Sequence, residues 1–242
     1  MERKMEIIMF RIMLAIIFFS PLSGIFSGEA LGEGAIPNQV SVLPVYFVPQ
    51  GVPATTSDQA SRLERHLQIA QRYYKQIVKQ RDTFTLAKEK PRIVHAKRNL
   101  YYYTSPSRKN DFDREKLGEV FQEFKLNRFN SRYVFVIILM NPERTYPRGG
   151  GRPFNKGFNG GGGFVLISSY SLDRNPVFQG TLQHELGHSF GLVHVSSYGY
   201  DQRNNPSVMS YIKDPWIGFK ATKNRGKFIP EDIRALSMNT KL

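Results

Sequence analysis

The chain has 242 residues, of which 40% are hydrophobic and 13% aromatic, so a wholly disordered protein is excluded. Its size fits one domain, or two small subdomains that share a cleft. The absence of cysteine excludes disulfides and thiolate metal ligands. A formal net charge of +14 favours acidic partners, although an ordinary solvated basic surface has the same composition. No module for binding nucleic acid is recognisable, so we expect no nucleic-acid partner.

Residues 1–30 have the layout of a signal peptide. Arg3, Lys4 and Arg11 precede the apolar residues 12–19, and small residues follow up to a candidate cleavage site near Ala30. The apolar run is shorter than the ~20 residues that span a bilayer. An uncleaved anchor is the alternative, and no other segment is expected to cross a membrane. Together with the lack of cysteine, this pattern predicts a secreted or periplasmic protein, most consistent with a bacterial source.

Strands and helices alternate over the next hundred residues. Their patterns predict, in chain order, a strand at 40–48, a helix from a Thr56 cap to about residue 79, a strand at 93–103, a helix from about residue 113, and a strand at 133–140. Pro44 lacks an N–H group, which predicts that the first strand lies at an edge or a bulge. The last strand is uniformly apolar and should be covered on both faces. This order predicts an α+β fold with a mixed sheet.

A glycine-rich segment at 146–163 interrupts this alternation and predicts a mobile loop, either a flap or a solvated insertion. A strand at 164–169 follows. Asn175 and Pro176 then begin a helix that ends at Gly191. Irregular chain is expected to about residue 228, and a short terminal helix begins at Pro230.

The helix from Asn175 carries the sequence HELGHSFGLVH at 184–194. Residues four apart share a helix face, so His184 and His188 can point at one metal ion. Glu185 lies beside them, where a carboxylate can act as general base toward water activated by zinc. Gly191 can adopt a left-handed conformation that ends the helix and turns His194 back as third ligand.

This string resembles the zinc signature of the metzincin clan of metallopeptidases. The clan also has a methionine turn below the metal, and NNPSVMSY supplies one at Met209. The terminal EDIRALS resembles the clan's last helix, and GGGGFVLISS resembles its substrate-binding edge strand. The resemblance implies a twisted, mixed five-stranded sheet with two long helices, an active-site helix and a short C-terminal helix. It also implies an upper subdomain at about 38–191 and a lower one at about 192–242, within a catalytic domain at 31–242.

Tyr211 follows the methionine by two residues, and SVMSY is most similar to the serralysins. In the serralysin and astacin families such a tyrosine can bind zinc and stabilise the oxyanion, while a tyrosine that only packs in the turn is the alternative. The calcium repeats of the serralysins have no counterpart in this sequence, so calcium is left open.

These observations predict an exported zinc metalloendopeptidase. One Zn²⁺ ion would be bound by His184, His188 and His194, with Glu185 as general base, and the substrate would be a protein or peptide. A basic, zinc-stabilised envelope protein that binds an acidic polymer without cleavage is the alternative, and the peptide part of cell wall is another possible substrate. We expect the remaining histidines, His66 and His95, to be structural or solvated.

Overall fold

The structure is a computed structural model. It describes residues 40–78, 83–105, 112–126, 131–142, 149–154, 162–172, 175–202, 205–210 and 227–238, all within a compact unit that spans Ala35–Leu242. The signal peptide predicted at 1–30 and Tyr211 lie outside the described residues.

The described part of the chain contains six strands and six α-helices. The strands are β1 (Ser41–Gln50), β2 (Thr85–Leu86), β3 (Arg92–Asn99), β4 (Tyr133–Leu139), β5 (Gly150–Pro153) and β6 (Gly163–Ser168). The helices are α1 (Ser57–Ile77), α2 (Leu100–Thr104), α3 (Phe112–Phe124), α4 (Ser169–Leu172), α5 (Asn175–Ser189) and α6 (Pro230–Met238). The predicted α+β class is confirmed. None of the described helices combines the length and the apolar character that a bilayer crossing requires.

The sheet is mixed, as predicted, but it contains six strands rather than five. Strand β1 pairs with β4 along one edge over residues 41–47, and with β2 and β3 along the other. Because β2 faces the start of β1 and β3 faces its end, these two strands lie end to end in a single position of the sheet. The order across the sheet is therefore β2/β3, β1, β4, β6, β5, in which only β5 is antiparallel.

The edge position predicted from Pro44 was wrong, because β1 is an internal strand, and the irregularity in its pairing with β3 lies between Val48 and Gln50 rather than at Pro44. Pro44 pairs with Val136 of β4 on one side. The carbonyls of Val40 and Val42 accept hydrogen bonds from the β2 side, so by alternation the missing N–H of Pro44 also faces that side. There it falls between the end of β2 and the start of β3, where the ladder is interrupted and no donor is needed.

Two further boundaries differ from the prediction. The third strand ends at Asn99, whose side chain accepts a hydrogen bond from the Tyr102 N–H and begins α2, so residues 100–103 are helical. The glycine-rich segment contains β5, which pairs with β6 in register from Gly150–Leu166 to Pro153–Gly163. Consequently β6, which was predicted as an edge strand, is internal, and β5 occupies the edge.

The two faces of the sheet build separate cores. Alternate residues of β4 point to opposite sides: Val134 packs with apolar side chains of α1, α5 and α6, whereas Phe135 packs with those of α2 and α3. All seven residues of β4 are buried, which confirms the prediction of a strand covered on both faces. The capping box at the start of α1 is also confirmed, with reciprocal bonds between Thr56 and Gln59. Helix α5, which carries the histidine motif, thus lies on the α1 face of the sheet.

Candidate metal centre

His184, His188 and His194 lie together at the end of α5. The Nε2 atom of His188 lies 3.1 Å from Nε2 of His184 and 2.9 Å from Nε2 of His194. One ring nitrogen from each of the three lies within 4.8 Å of the others. Among the described residues, this is the group of histidines and acids whose geometry allows them to hold a metal ion.

Backbone carbonyls fix the orientation of two of these rings. His184 Nδ1 lies 2.6 Å from the carbonyl oxygen of Val208, and His188 Nδ1 lies 2.8 Å from that of Leu192. A carbonyl can only accept a hydrogen bond, so each Nδ1 carries the proton and each neutral ring has its lone pair on Nε2. Burial lowers the pKa of His188 and of His194, which favours their neutral, ligating form.

This donor set fits a tetrahedral metal ion. Lone pairs of neutral imidazoles repel one another at 2.9–3.1 Å unless a cation or a proton lies between them. Nitrogens at 2.0–2.1 Å from tetrahedral zinc are separated by about 3.3 Å, which is close to the two separations that His188 makes with His184 and His194. Carbonyl acceptors behind the ligating rings are also typical of protein metal sites.

Gly191 makes the turn that brings His194 to the other two rings. Its φ is +95°, in a region that glycine occupies readily. The Leu192 N–H bonds to the Gly187 carbonyl and the Gly191 N–H to the His188 carbonyl, which together form a Schellman motif. The same turn presents the Leu192 carbonyl to the His188 ring. The left-handed turn predicted from the sequence is therefore present, and it orients the His188 ring while it repositions His194.

Met209 is fully buried beneath α5. A β-carbon added at Gly187, which lies between the first two histidines in sequence, would be 2.5 Å from the Met209 sulfur, so the thioether occupies the space that this glycine leaves. The Met209 carbonyl accepts a hydrogen bond from the Val195 N–H, next to His194. The turn at 207–210 therefore contacts the segments that carry all three histidines.

A buried carboxylate supports this turn. Asp232 of α6 has no exposed surface, and its Oδ2 lies 3.4 Å from the hydroxyl of Ser207. The Ser207 oxygen in turn accepts a hydrogen bond from the Met209 N–H at 3.0 Å. Asp232 is thus connected through the turn to Val208, whose carbonyl holds His184. Sequence reasoning did not identify Asp232, because an acidic residue in the first turn of a helix is normally explained by the helix dipole.

Glu185 is buried beside the histidines, and glycines surround it. A β-carbon at Gly149 would lie 2.8 Å from Glu185 Oε1, and one at Gly151 would overlap the Glu185 carbonyl oxygen. A β-carbon at Gly163 would lie 2.9 Å from the carbonyl oxygen of Ser189, one turn further along α5. The strands β5 and β6 therefore approach α5 at backbone distance, which only glycine permits.

The other histidines do not join this cluster. His66 is buried in α1, where its Nδ1 lies 2.7 Å from Gln179 Oε1 and its ring packs on Phe178 of α5. His95 is exposed on β3. Neither belongs to a metal-binding group among the residues that the structure describes, in accord with the expectation that both are structural or solvated.

Comparison with known proteins yields a weak structural similarity. No protein-family model and no curated protein sequence matches this chain. Among solved structures, a catalytically inactive form of OgpA from Akkermansia muciniphila, in complex with an O-glycopeptide (glycodrosocin) substrate, is 15% identical with a TM-score of 0.46. That alignment covers 84% of this chain and 63% of the other. Wild-type OgpA is 19% identical with a TM-score of 0.47, over 81% and 58% of the two chains. The chain thus spans less than two thirds of OgpA. Sequence identities and TM-scores this low do not show a shared activity.

Proposed function

We propose that this protein is an exported zinc-dependent endopeptidase of the metzincin type. The observation that carries the proposal is the convergence of three imidazole Nε2 atoms beside the buried Glu185. A site that only stabilises the fold closes around its metal with four protein ligands, whereas a catalytic site has three and an open position. An adjacent carboxylate that is not needed as a ligand favours the catalytic type.

His184, His188 and His194 would hold the ion, which when bound supplies Lewis acidity that polarises a carbonyl and brings the pKa of water to about 7. Glu185 would accept a proton from the attacking water and donate it to the leaving amine. Met209 would form the apolar floor beneath the ligands. Tyr211, which lies outside the described residues, would stabilise the oxyanion, as the resemblance to serralysins and astacins implies.

We place the substrate-binding edge of the sheet at β5. In the described part of the chain, β5 pairs with β6 on one side only. An extended peptide can add to such an edge as a further strand, with backbone hydrogen bonds that place it regardless of its side chains. Because Gly149 and Gly151 contact Glu185, a peptide on this edge would run directly past the general base.

Export and domain organisation complete the proposal. Residues 1–30 would be removed as a signal peptide, leaving a catalytic domain at 31–242 in which the cleft separates subdomains at about 38–191 and 192–242. The net charge of +14 favours acidic substrates through long-range attraction, although it does not select among them.

The test is peptide cleavage by the purified mature protein on a proteome-derived library, with and without a zinc chelator. The library contains matched O-glycosylated and unmodified peptides, since the similarity to OgpA does not determine which is cleaved. We expect about one zinc per chain, cleavage that the chelator abolishes, and restoration by added zinc. Glu185→Gln should retain zinc and lose roughly 1,000-fold or more in kcat, since it removes both the base and the acid.

Three results separate the alternatives. Full turnover by Glu185→Gln would exclude the proposed mechanism, and full turnover by Tyr211→Phe would remove only the role of the tyrosine. Salt-sensitive binding of an anionic polymer, without hydrolysis of any peptide in the library, would instead identify a zinc-stabilised binding protein.

A further inference from the structure

Gly149, Gly151 and Gly163 face α5, and they differ in the atoms that an added β-carbon would meet. The residues of α5 that they approach are Thr181, Glu185 and Ser189, which lie four residues apart and thus form one stripe of the helix. Gly151 and Gly163 approach backbone carbonyls of this stripe, so they determine how closely the sheet and the helix pack. Gly149 instead approaches side chains, namely the Thr181 methyl at 2.7 Å and Glu185 Oε1 and Cγ at 2.8 and 2.9 Å from a hypothetical β-carbon.

We propose that Gly149 is a positioning residue for Glu185, the general base of the proposed peptidase, and that it acts by leaving room for the carboxylate. The inference rests on the proposed function for its catalytic meaning, but its contact with Glu185 is a property of the fold. A methyl group at residue 149 would crowd the Thr181 methyl and the Oε1 and Cγ atoms of Glu185, so the Glu185 side chain is among the groups that must move.

The nature of the contact predicts which property changes. The atoms that face Gly149 belong to the side chains of Thr181 and Glu185, which can yield by rotation, whereas the carbonyl that faces Gly151 can yield only if the helix or the strand shifts. Backbone strain does not contribute at residue 149, because its φ is outside the left-handed region. Gly149→Ala should therefore fold and bind zinc normally and still have a misplaced base.

Gly118 provides a matched control. It lies in α3 on the opposite face of the sheet, its φ is equally ordinary, and a β-carbon there would meet nothing within 4 Å. Gly118→Ala adds the same methyl group and similarly reduces the entropy of the unfolded chain, and it lacks the contact with Glu185. A difference between the two variants therefore measures that contact.

The experiment compares kcat, KM, zinc content and crystal structures of the wild type, Gly149→Ala and Gly118→Ala. We expect Gly149→Ala to lose about 10- to 100-fold in kcat, since displacement of a catalytic group by about 1 Å has effects of this size. Its KM should stay within about threefold, its zinc content and Tm should equal those of the wild type, and the kcat of Gly118→Ala should equal that of the wild type. The crystal structures should show the Glu185 carboxylate displaced relative to the three histidine Nε2 atoms in Gly149→Ala alone.

Equal kcat values for the two variants would overturn the proposal, as would an unmoved carboxylate in Gly149→Ala. Thr181 is tested separately by Thr181→Ser in the Gly149→Ala background, which removes the methyl at 2.7 Å. Recovery of kcat in that double variant would show that Gly149 acts through Thr181 and would also overturn the proposal; continued loss supports it. A wild type that cleaves no peptide refutes the proposed function, and the crystallographic displacement then decides by itself whether Gly149 positions Glu185.

Discussion

Replacing Asp232 by asparagine is expected to change how the stability of this protein depends on pH. The carboxyl group is fully buried at the start of α6, and Oδ1 has no hydrogen-bond partner among the described residues. Burial raises its pKa from 3.8 to about 6, against the opposing effect of hydrogen bonds from the Ile229 backbone and the Ser207 hydroxyl. The folded protein therefore favours the protonated acid, which asparagine resembles in shape and charge.

The sign follows from the raised pKa. Below pH 4 the acid is protonated in both states and folding is not penalised. As the pH rises to about 6, only the unfolded chain ionises freely, so stability is lost over this window and the loss is constant above it. A shift of about two units corresponds to about 3 kcal/mol in total, of which roughly 2 kcal/mol falls between pH 4.5 and 7.5.

Urea unfolding of the wild type and Asp232→Asn at several pH values measures this difference directly. Both proteins carry the same histidines, so their protonation contributes in the same direction to both unfolding curves and cancels in the difference between the variant and the wild type. Asp58→Asn is the matched control, because Asp58 also lies in the first turn of a helix but is exposed and paired with Arg62. Its effect on stability should stay within about 0.5 kcal/mol at every pH.

A constant difference between Asp232→Asn and the wild type from pH 4.5 to 7.5 would refute the reasoning. It would mean that the buried carboxyl ionises in the folded protein as readily as in the unfolded chain. A difference of the opposite sign, in which Asp232→Asn loses stability relative to the wild type as the pH rises, would show that the folded protein stabilises the carboxylate rather than the acid.

Two further substitutions test the connections around the histidines. Gly191→Ala places a β-carbon at a φ of +95° and should cost about 1–2 kcal/mol in urea unfolding, with weaker zinc binding by isothermal titration. Gly51→Ala, at a φ of +77° and remote from the site, should cost a similar amount of stability without affecting zinc affinity. Equal losses of zinc affinity in Gly191→Ala and Gly51→Ala would contradict this account. Ser207→Ala leaves the Met209 N–H unpaired and should destabilise the protein by about 1–3 kcal/mol. The change in stability of the double variant Ser207→Ala/Asp232→Asn should be smaller than the sum of the two single changes. Strict additivity would show that the two side chains do not interact.

The sequence predicted the elements that depend on local pattern. The capping residues of α1 were identified because their hydrogen bonds connect residues three apart. The uniform apolar run of β4 predicted its burial, and the φ of Gly191 was anticipated because a helix had to end there for His194 to return. In each case the signal that allows the prediction lies within a short stretch of sequence.

The errors arose where distant segments meet. Pro44 was placed at an edge by its missing donor, but β2 and β3, about forty residues further along, leave a gap in the ladder at that point. The glycine-rich segment predicts a loop because it contains little that could bury a core. In the structure Gly150 and Gly151 begin β5, which pairs with β6, and Gly151 lies against the Glu185 carbonyl of α5, too close for a side chain.

By itself the sequence determined which residues can bind a metal, because the spacing of His184, His188 and His194 is a property of one helix and one turn. Only the tertiary structure decided how these rings are held. The carbonyl that orients His184 belongs to Val208, and the supporting carboxylate belongs to Asp232. These contacts join segments far apart in the chain, and a backbone carbonyl or a glycine carries no pattern that reveals its partner. The physical reason is that the spacing of the three histidines is encoded locally, whereas the orientation of their rings depends on packing between α5, the methionine turn and α6.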